Sequence, residues 1–247
     1  MTQADLFAVK ARPGAVFSPC RTWRYQLERP APGPGGTVLW VMLNPSVADE
    51  TKSDPTIRKV VGFSTRWGFS RVVVVNLFAL VATDPAELSR AVDRRRTVLD
   101  REHPDAPVDP VGPNNDAAIG SALRDTSLRQ IVVAWGANGD QYPDRVARVL
   151  AILSPPCPTL GCVERGVQWV RRHHRNPNGG APTRTGSAGL ADPPCPTCND
   201  RQRTRQVYAL GWTQSCQPRH PLMLPYTTPL VPFFLEAPQD EDQPTKP

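Results

Sequence analysis

The stretch Thr37-Val38-Leu39-Trp40-Val41-Met42-Leu43 is apolar after its first residue and stops abruptly at Asn44-Pro45-Ser46. An apolar run of this length, bounded by turn residues and lacking polar alternation, reads as a strand buried on both faces. The polar triplet then sits just beyond the carboxyl end of the strand. In open parallel α/β sheets that end is where ligands bind. Asn44, Pro45 and Ser46 are therefore the first candidate site residues, and the remaining chain is read for what it brings to them.

Three more apolar runs follow at intervals that leave room for helices. Arg71–Leu77 contains Val72-Val73-Val74-Val75, too β-branched to prefer helix, and reaches a polar residue at Asn76. Gln130–Trp135 is closed by Gly136, and Gln206–Gly211 forms the last run. Between them lie helix signals. Asp54-Pro55 has an N-cap residue followed by Pro at the first helical position, and Ile57, Val60, Val61 and Ser64 fall on one face. Asp84-Pro85-Ala86-Glu87 resembles a capping box. A turn-rich lead, Asp109 to Asp116, precedes a helix carrying Ala117, Ile119 and Leu123. Tyr142–Leu153 sets Val146, Val149, Leu150 and Leu153 on one face. Arg21–Arg29 alternates like an edge strand, Asp93–Pro107 reads as a charged loop, and residues 1–20 show no clear period. Strand and helix in alternation predict an α/β fold: a three-layer αβα sandwich around a four-stranded parallel central sheet. The domain spans residues 21–230, carries an inserted segment at 155–205, and is followed by a disordered acidic tail at 236–247.

Composition matters chiefly for that inserted segment. The chain has a formal net charge of +6, and residues 154–206 hold eight Arg against only Glu164, Asp192 and Asp200. Such a segment is either a solvated loop or a contact for a polyanion such as nucleic acid. The segment also holds Cys157, Cys162, Cys195 and Cys198, a Cys-x4-Cys and a Cys-x2-Cys pair, with His173 and His174 between them. Four thiolates in a stretch too poor in apolar residues to fold alone fit a structural zinc site; an iron–sulfur cluster is the alternative. Cys20 and Cys216 are singletons. No organic cofactor is expected. No apolar run is long enough for a membrane helix, and the start lacks a signal-peptide core, so the expected location is the cytoplasm.

The residues Leu43-Asn44-Pro45-Ser46, Asp54-Pro55-Thr56-Ile57-Arg58, Trp67-Gly68, Asn76-Leu77-Phe78-Ala79, Thr83-Asp84-Pro85, Asp109-Pro110-Val111-Gly112, Asn115-Asp116, Ala134-Trp135-Gly136 and His220-Pro221-Leu222 resemble a bacterial and phage family known as domain of unknown function 1643. That name implies no activity. A looser resemblance does. Met42-Leu43-Asn44-Pro45, Val73-Val74-Val75-Asn76, Ala134-Trp135-Gly136 and His220-Pro221 are similar, in order and position, to strand-end motifs of the uracil-DNA glycosylase superfamily. The likeness implies that Asn44 positions the attacking water, Asn76 reads the base edge and His220 stabilises the departing base. It implies Phe63, within Gly62-Phe63-Ser64, as a base-stacking ring. Pro45, Ser46 and Trp135 complete the implied substrate contacts; separately from the resemblance, Arg58 and Arg66, eight apart on the first helix, are either phosphate contacts or ordinary surface Arg. Met42 stands where that superfamily has Gly, and Leu222 where it has Ser.

The chemistry suits these residue types. An amide offers both donor and acceptor to a base edge, and a positioned imidazole can stabilise charge on a leaving base. An Asn orients water but is a poor general base, which predicts a slow enzyme. Each residue also has an ordinary structural role: Asn44 as a turn residue, His220 as a surface His, Trp67 and Trp135 as core, Asp54 and Asp84 as helix caps with a second role beside the site. The expected function is nucleobase recognition with hydrolytic N-glycosidic cleavage in DNA. Two alternatives stay open: a hydrolase or transferase acting on free nucleotides or nucleosides, and a non-catalytic nucleic-acid-binding module. The expected partner is nucleic acid, DNA foremost, or a nucleotide; no membrane is involved, and oligomeric state is not readable.

Overall fold

The computed structural model describes residues 13–97, 108–153 and 207–233. Its elements run β1 (Gly14–Phe17), β2 (Arg24–Pro30), β3 (Gly35–Met42), α1 (Pro55–Arg66), β4 (Phe69–Asn76), α2 (Pro85–Thr97), α3 (Asn115–Leu123), β5 (Leu128–Val133), α4 (Pro143–Leu153), β6 (Val207–Ala209) and β7 (Val231–Pro232). A 3-10 turn at Ala137–Gln141 precedes α4.

The strands form one seven-stranded sheet ordered β1-β2-β4-β3-β5-β6-β7. Its centre, β4-β3-β5-β6, is parallel. The predicted four-stranded parallel sheet is thus corrected to a mixed sheet of seven. Antiparallel β1 and β2 extend one side and antiparallel β7 closes the other. Arg24–Pro30 is not an edge strand: β1 covers it, because residues 14–17 pair there despite having no readable period. The charged loop read from Asp93 onward is also corrected, since α2 continues to Thr97.

Side-chain alternation splits the core into two layers. Val38, Trp40, Met42, Val72, Val74, Val132 and Ala134 face α1, which answers with Ile57, Val60 and Phe63. Leu39, Val41, Val73, Val75, Ile131 and Val133 face Leu88 and Val92 of α2, Ile119 of α3 and Val146, Val149 and Leu150 of α4. Helices therefore cover both faces, and the apolar runs are uninterrupted for that reason. The α1 face is set by aromatic packing. Trp40 is fully buried, stacks on Trp67 at 5.5 Å between ring centroids, and donates Nε1–H to Ser64 Oγ at 3.0 Å. Ser64 in turn donates to Val60 O, which lets a hydroxyl sit inside an apolar helix face.

α1 begins as its sequence demands: the Asp54 carboxylate accepts the Ile57 N–H at 2.8 Å, and Pro55 occupies the first turn. Its C-terminal exit needs Gly68, at φ +84°. There the carbonyl of Gly68 accepts from Gly35, and the backbone passes so close to Gly33 that an added Cβ would lie 2.2 Å from Gly68. Among the described residues no helix is long and apolar enough to cross a membrane.

Candidate functional site

The strand order creates a switch point. From β3 the chain passes through α1 to β4 on one side, and β5 lies on the other side of β3, entered from α3 on the opposite face. A crevice at the carboxyl ends of β3 and β5 is the expected ligand position in such a sheet. The backbone ties its rim together. Leu77 and Phe78 N–H donate to Met42 O and Leu43 O, Ala134 N–H donates to Val41 O, and Gly136 N–H donates to Pro218 O at 2.9 Å. Leu210 and Leu224 pack on the α1 face, which brings the 210–224 segment to the same side.

Asn44 is half-buried beyond the end of β3, with its amide locked. Nδ2 donates to Pro45 O at 3.0 Å and to Ala82 O at 2.9 Å. Two carbonyl acceptors fix which end of the amide is nitrogen, leaving Oδ1 as an acceptor directed elsewhere. Asn76 differs. It pairs with Met42 across the ladder, is 2% exposed, and its Nδ2 has no hydrogen-bond partner. By alternation from Val72 and Val74 its side chain lies on the α1 face. A buried donor left unpaired costs about 1–3 kcal/mol, so its retention points to a use. The backbone at this strand end is held firmly. Asn115, fully buried at the start of α3, donates Nδ2 to both Asn76 O and Leu77 O at 3.1 Å. Arg145 adds a bond from Nε to Leu77 O and is itself paired with Asp116 at 2.6 Å.

His220 stands against Gly136. At φ +77° Gly136 occupies backbone space that favours glycine, and an added Cβ would come within 3.1 Å of the His220 Cβ. Leu222 N–H donates to His220 Nδ1 at 3.4 Å, which places the ring proton on Nε2 and makes that atom a donor. Burial holds the imidazole pKa below the usual histidine range, and the Asp54 carboxylate acts in the other direction. Asp54 is the one buried carboxylate among the described residues. Two consequences are measurable by NMR titration of the ring. His220 will stay neutral through the ordinary histidine midpoint of about 6.5. Asp54→Asn will push its pKa lower still while keeping the helix cap, since Asn caps as well as Asp. A histidine whose folded pKa is depressed contributes full stability above its ordinary value and loses it as pH falls toward the folded value. A pKa that does not move in Asp54→Asn would show that the carboxylate does not act on the ring.

A family model described as "Protein of unknown function (DUF1643)" matches residues 24–173, more than half of the chain. The chain belongs to this family. No curated protein and no solved structure matches it. The likeness to uracil-DNA glycosylases accordingly rests on the four strand-end motifs alone. The DUF1643 match takes in Asn44, Asn76, Asn115 and Gly136 and ends before His220.

The remaining sequence-derived residues divide. Pro45 is buried beside Asn44, its carbonyl also accepting Ala82 N–H, and half-buried Ser46 follows it. Arg58 is exposed on the first turns of α1, with Nη1 bonded to Ser53 O. Two implied substrate contacts are buried rings. Phe63 is fully buried midway along α1, packed among Trp40, Trp67 and Tyr226 with centroids at 6.3, 5.4 and 5.1 Å. It belongs to the inward stripe of the helix rather than to the crevice. Trp135 is 2% exposed on the opposite sheet face, where Nε1 donates to Gln217 Oε1 and the ring packs on Phe233. Cys157, Cys162, Cys195 and Cys198 lie outside the described residues, as do segment 155–205 and tail 236–247. Among the described residues no cluster of three metal-capable side chains occurs.

The site's support was missed at the sequence level. The loop from Ser46 to Ser53 is organised by arginines of β2 and its approach. Arg29, 5% exposed, donates to Ser53 Oγ, Asp49 O and Lys52 O. Arg24, 2% exposed, reaches Ala48 O, and burial lowers its pKa to about 10. Arg21 pairs with Glu50 at 2.8 Å. Arg24 and Arg29 read only as part of an edge strand's alternation. The register shift opposite Val16 and Phe17, which leaves Tyr25 unmatched on β2 beside Arg24, carries no sequence mark.

Proposed function

We propose that the carboxyl edge of the sheet captures a nucleobase and that the protein hydrolyses an N-glycosidic bond in DNA. The unpartnered, buried amide of Asn76 carries this reading. A dry donor at the end of β4, a locked acceptor, Asn44, beyond the end of β3, and a neutral donor, His220, against Gly136 suit the edge of a planar heterocycle bearing a carbonyl oxygen. In the reaction, water held by Asn44 Oδ1 attacks the sugar carbon as the carbon–nitrogen bond breaks. The bonding pair leaves with the base, and Nε2–H of His220 hydrogen-bonds the oxygen on which that charge gathers. The water proton passes to solvent, because an amide does not accept it. Rate then depends on leaving-group stabilisation more than on activating water, and turnover is slow.

The test is incubation with single-stranded and duplex oligonucleotides carrying uracil, hypoxanthine or alkylated bases, followed by alkaline scission of abasic sites. Abasic sites are expected from one of these classes and not from unmodified DNA. Asn44→Ala and His220→Ala should each lower the yield by on the order of 10²-fold. No scission across the panel at stoichiometric protein would remove the catalytic reading.

A further inference from the structure

The outer side of α1 and the 218–233 segment around His220 carry cations and no acids. Pro55–Trp67 contains Arg58, Lys59 and Arg66 and no Asp or Glu, and Pro218–Phe233 contains Arg219 and none. The two segments are joined. Lys59 Nζ donates to Leu224 O at 2.5 Å and lies 4.1 Å from the centre of the Tyr226 ring, while the Arg66 guanidinium lies 3.8 Å from the same ring. Gly62 permits this, since an added Cβ would sit 2.5 Å from Tyr226 Oη. Arg58 and Arg66 are exposed; Arg58 bonds Ser53 O and Arg66 bonds Gly62 O, each through Nη1, and the guanidiniums carry further donors on the exposed side. The nearest carboxylates along the chain are already engaged: Asp54 is buried and accepts the Ile57 N–H. Glu50 is paired with Arg21, and Asp49 accepts the Thr51 and Lys52 N–H groups. Cations along one helix that starts at the crevice, with no acids among them, suit a polyanion such as a nucleic-acid strand.

We propose that this surface is a phosphate-backbone track, with Arg58, Arg66 and Arg219 contacting the strand whose base enters the crevice. It rests on the nucleic-acid reading above and is independent of whether cleavage follows. The affinity of the full-length protein for a fluorescein-labelled oligonucleotide, measured by anisotropy across a salt series, will fall steeply with salt. Arg58→Gln with Arg66→Gln will flatten the log–log slope on a single strand by about 1.4, at about 0.7 per lost phosphate contact. Arg129→Gln, exposed at the opposite end of β5, will leave the slope unchanged. Binding with this slope by a protein that cleaves nothing retains the track and removes only the catalytic reading. An unchanged slope in the double variant, with the urea midpoint preserved, overturns the track. So does equally tight binding of polyglutamate, which would make the surface a contact for acidic polymers in general.

Discussion

Asn76→Leu will make the protein more stable and, on the proposed nucleobase reading, abolish base capture. The substitution removes a buried donor that has no partner and puts an apolar side chain of similar size against Met42 and Val74. Relief of the unpaired N–H should raise stability by about 1–2 kcal/mol, read as a higher urea midpoint with an unchanged slope. Base excision should fall by on the order of 10²–10³-fold, as when a positioned donor is taken from an active site. Few substitutions raise stability and abolish function together, and the pairing is what marks a strained functional group. A loss of stability of the same size would mean that the amide is satisfied inside the protein, and the site would lose its central observation.

The strand ends that meet at this site were legible because burial on both sides imposes an unbroken apolar run. Val72–Val75 and Val38–Met42 announce themselves, and a polar Asn76 at the end of such a run is conspicuous. Helix starts were legible where chemistry is local: Asp54 does cap α1, and the face predicted for α4 is the one it buries. What stayed hidden has no mark within the segment itself. β1 exists by pairing with the next strand, β2, and β7 by pairing with β6, and nothing in Gly14–Phe17 or Val231–Pro232 announces them. Phe63 and Trp135 were assigned by motif position, but sidedness decides their place. Phe63 lies on the inward stripe of α1, and Trp135 follows Ala134 onto the other face of the sheet. Asn115 shows the limit well. Its residue type suits a helix start, yet its fully buried amide props the carbonyls of Asn76 and Leu77.

Arg29→Met will cause the largest loss of stability among the residues around the site. The guanidinium is buried and bonds Ser53 Oγ and the carbonyls of Asp49 and Lys52. Methionine fills the volume but leaves those acceptors without donors. A loss of about 3 kcal/mol is expected, most of it the desolvated carbonyls. The damage should be directional. Amide exchange at Thr51 to Ile57 should quicken before the β3–β4 ladder does, because the arginine holds the loop that delivers Asp54 to the head of α1. Once that loop is free, the influence of Asp54 on His220 fades and the imidazole pKa drops further. Uniform exchange across loop and sheet, or a thermal midpoint close to wild type, would show that the loop stands without Arg29.

The locked amide of Asn44 limits what mutation can do at this position. A single-base change from Asn to Asp would offer a true base for the water. It would also set a carboxylate oxygen where an NH₂ now bonds Pro45 O and Ala82 O at about 3 Å, turning two attractions into two repulsions. The new carboxyl group would hold its proton to remain there and would then be no base at all. The codon change is a single nucleotide, yet by itself it delivers a protonated carboxyl group in place of a general base. On the proposed chemistry, a carboxylate at position 44 acts as a base only if the 78–82 loop, which carries Ala82 O, is rebuilt with it.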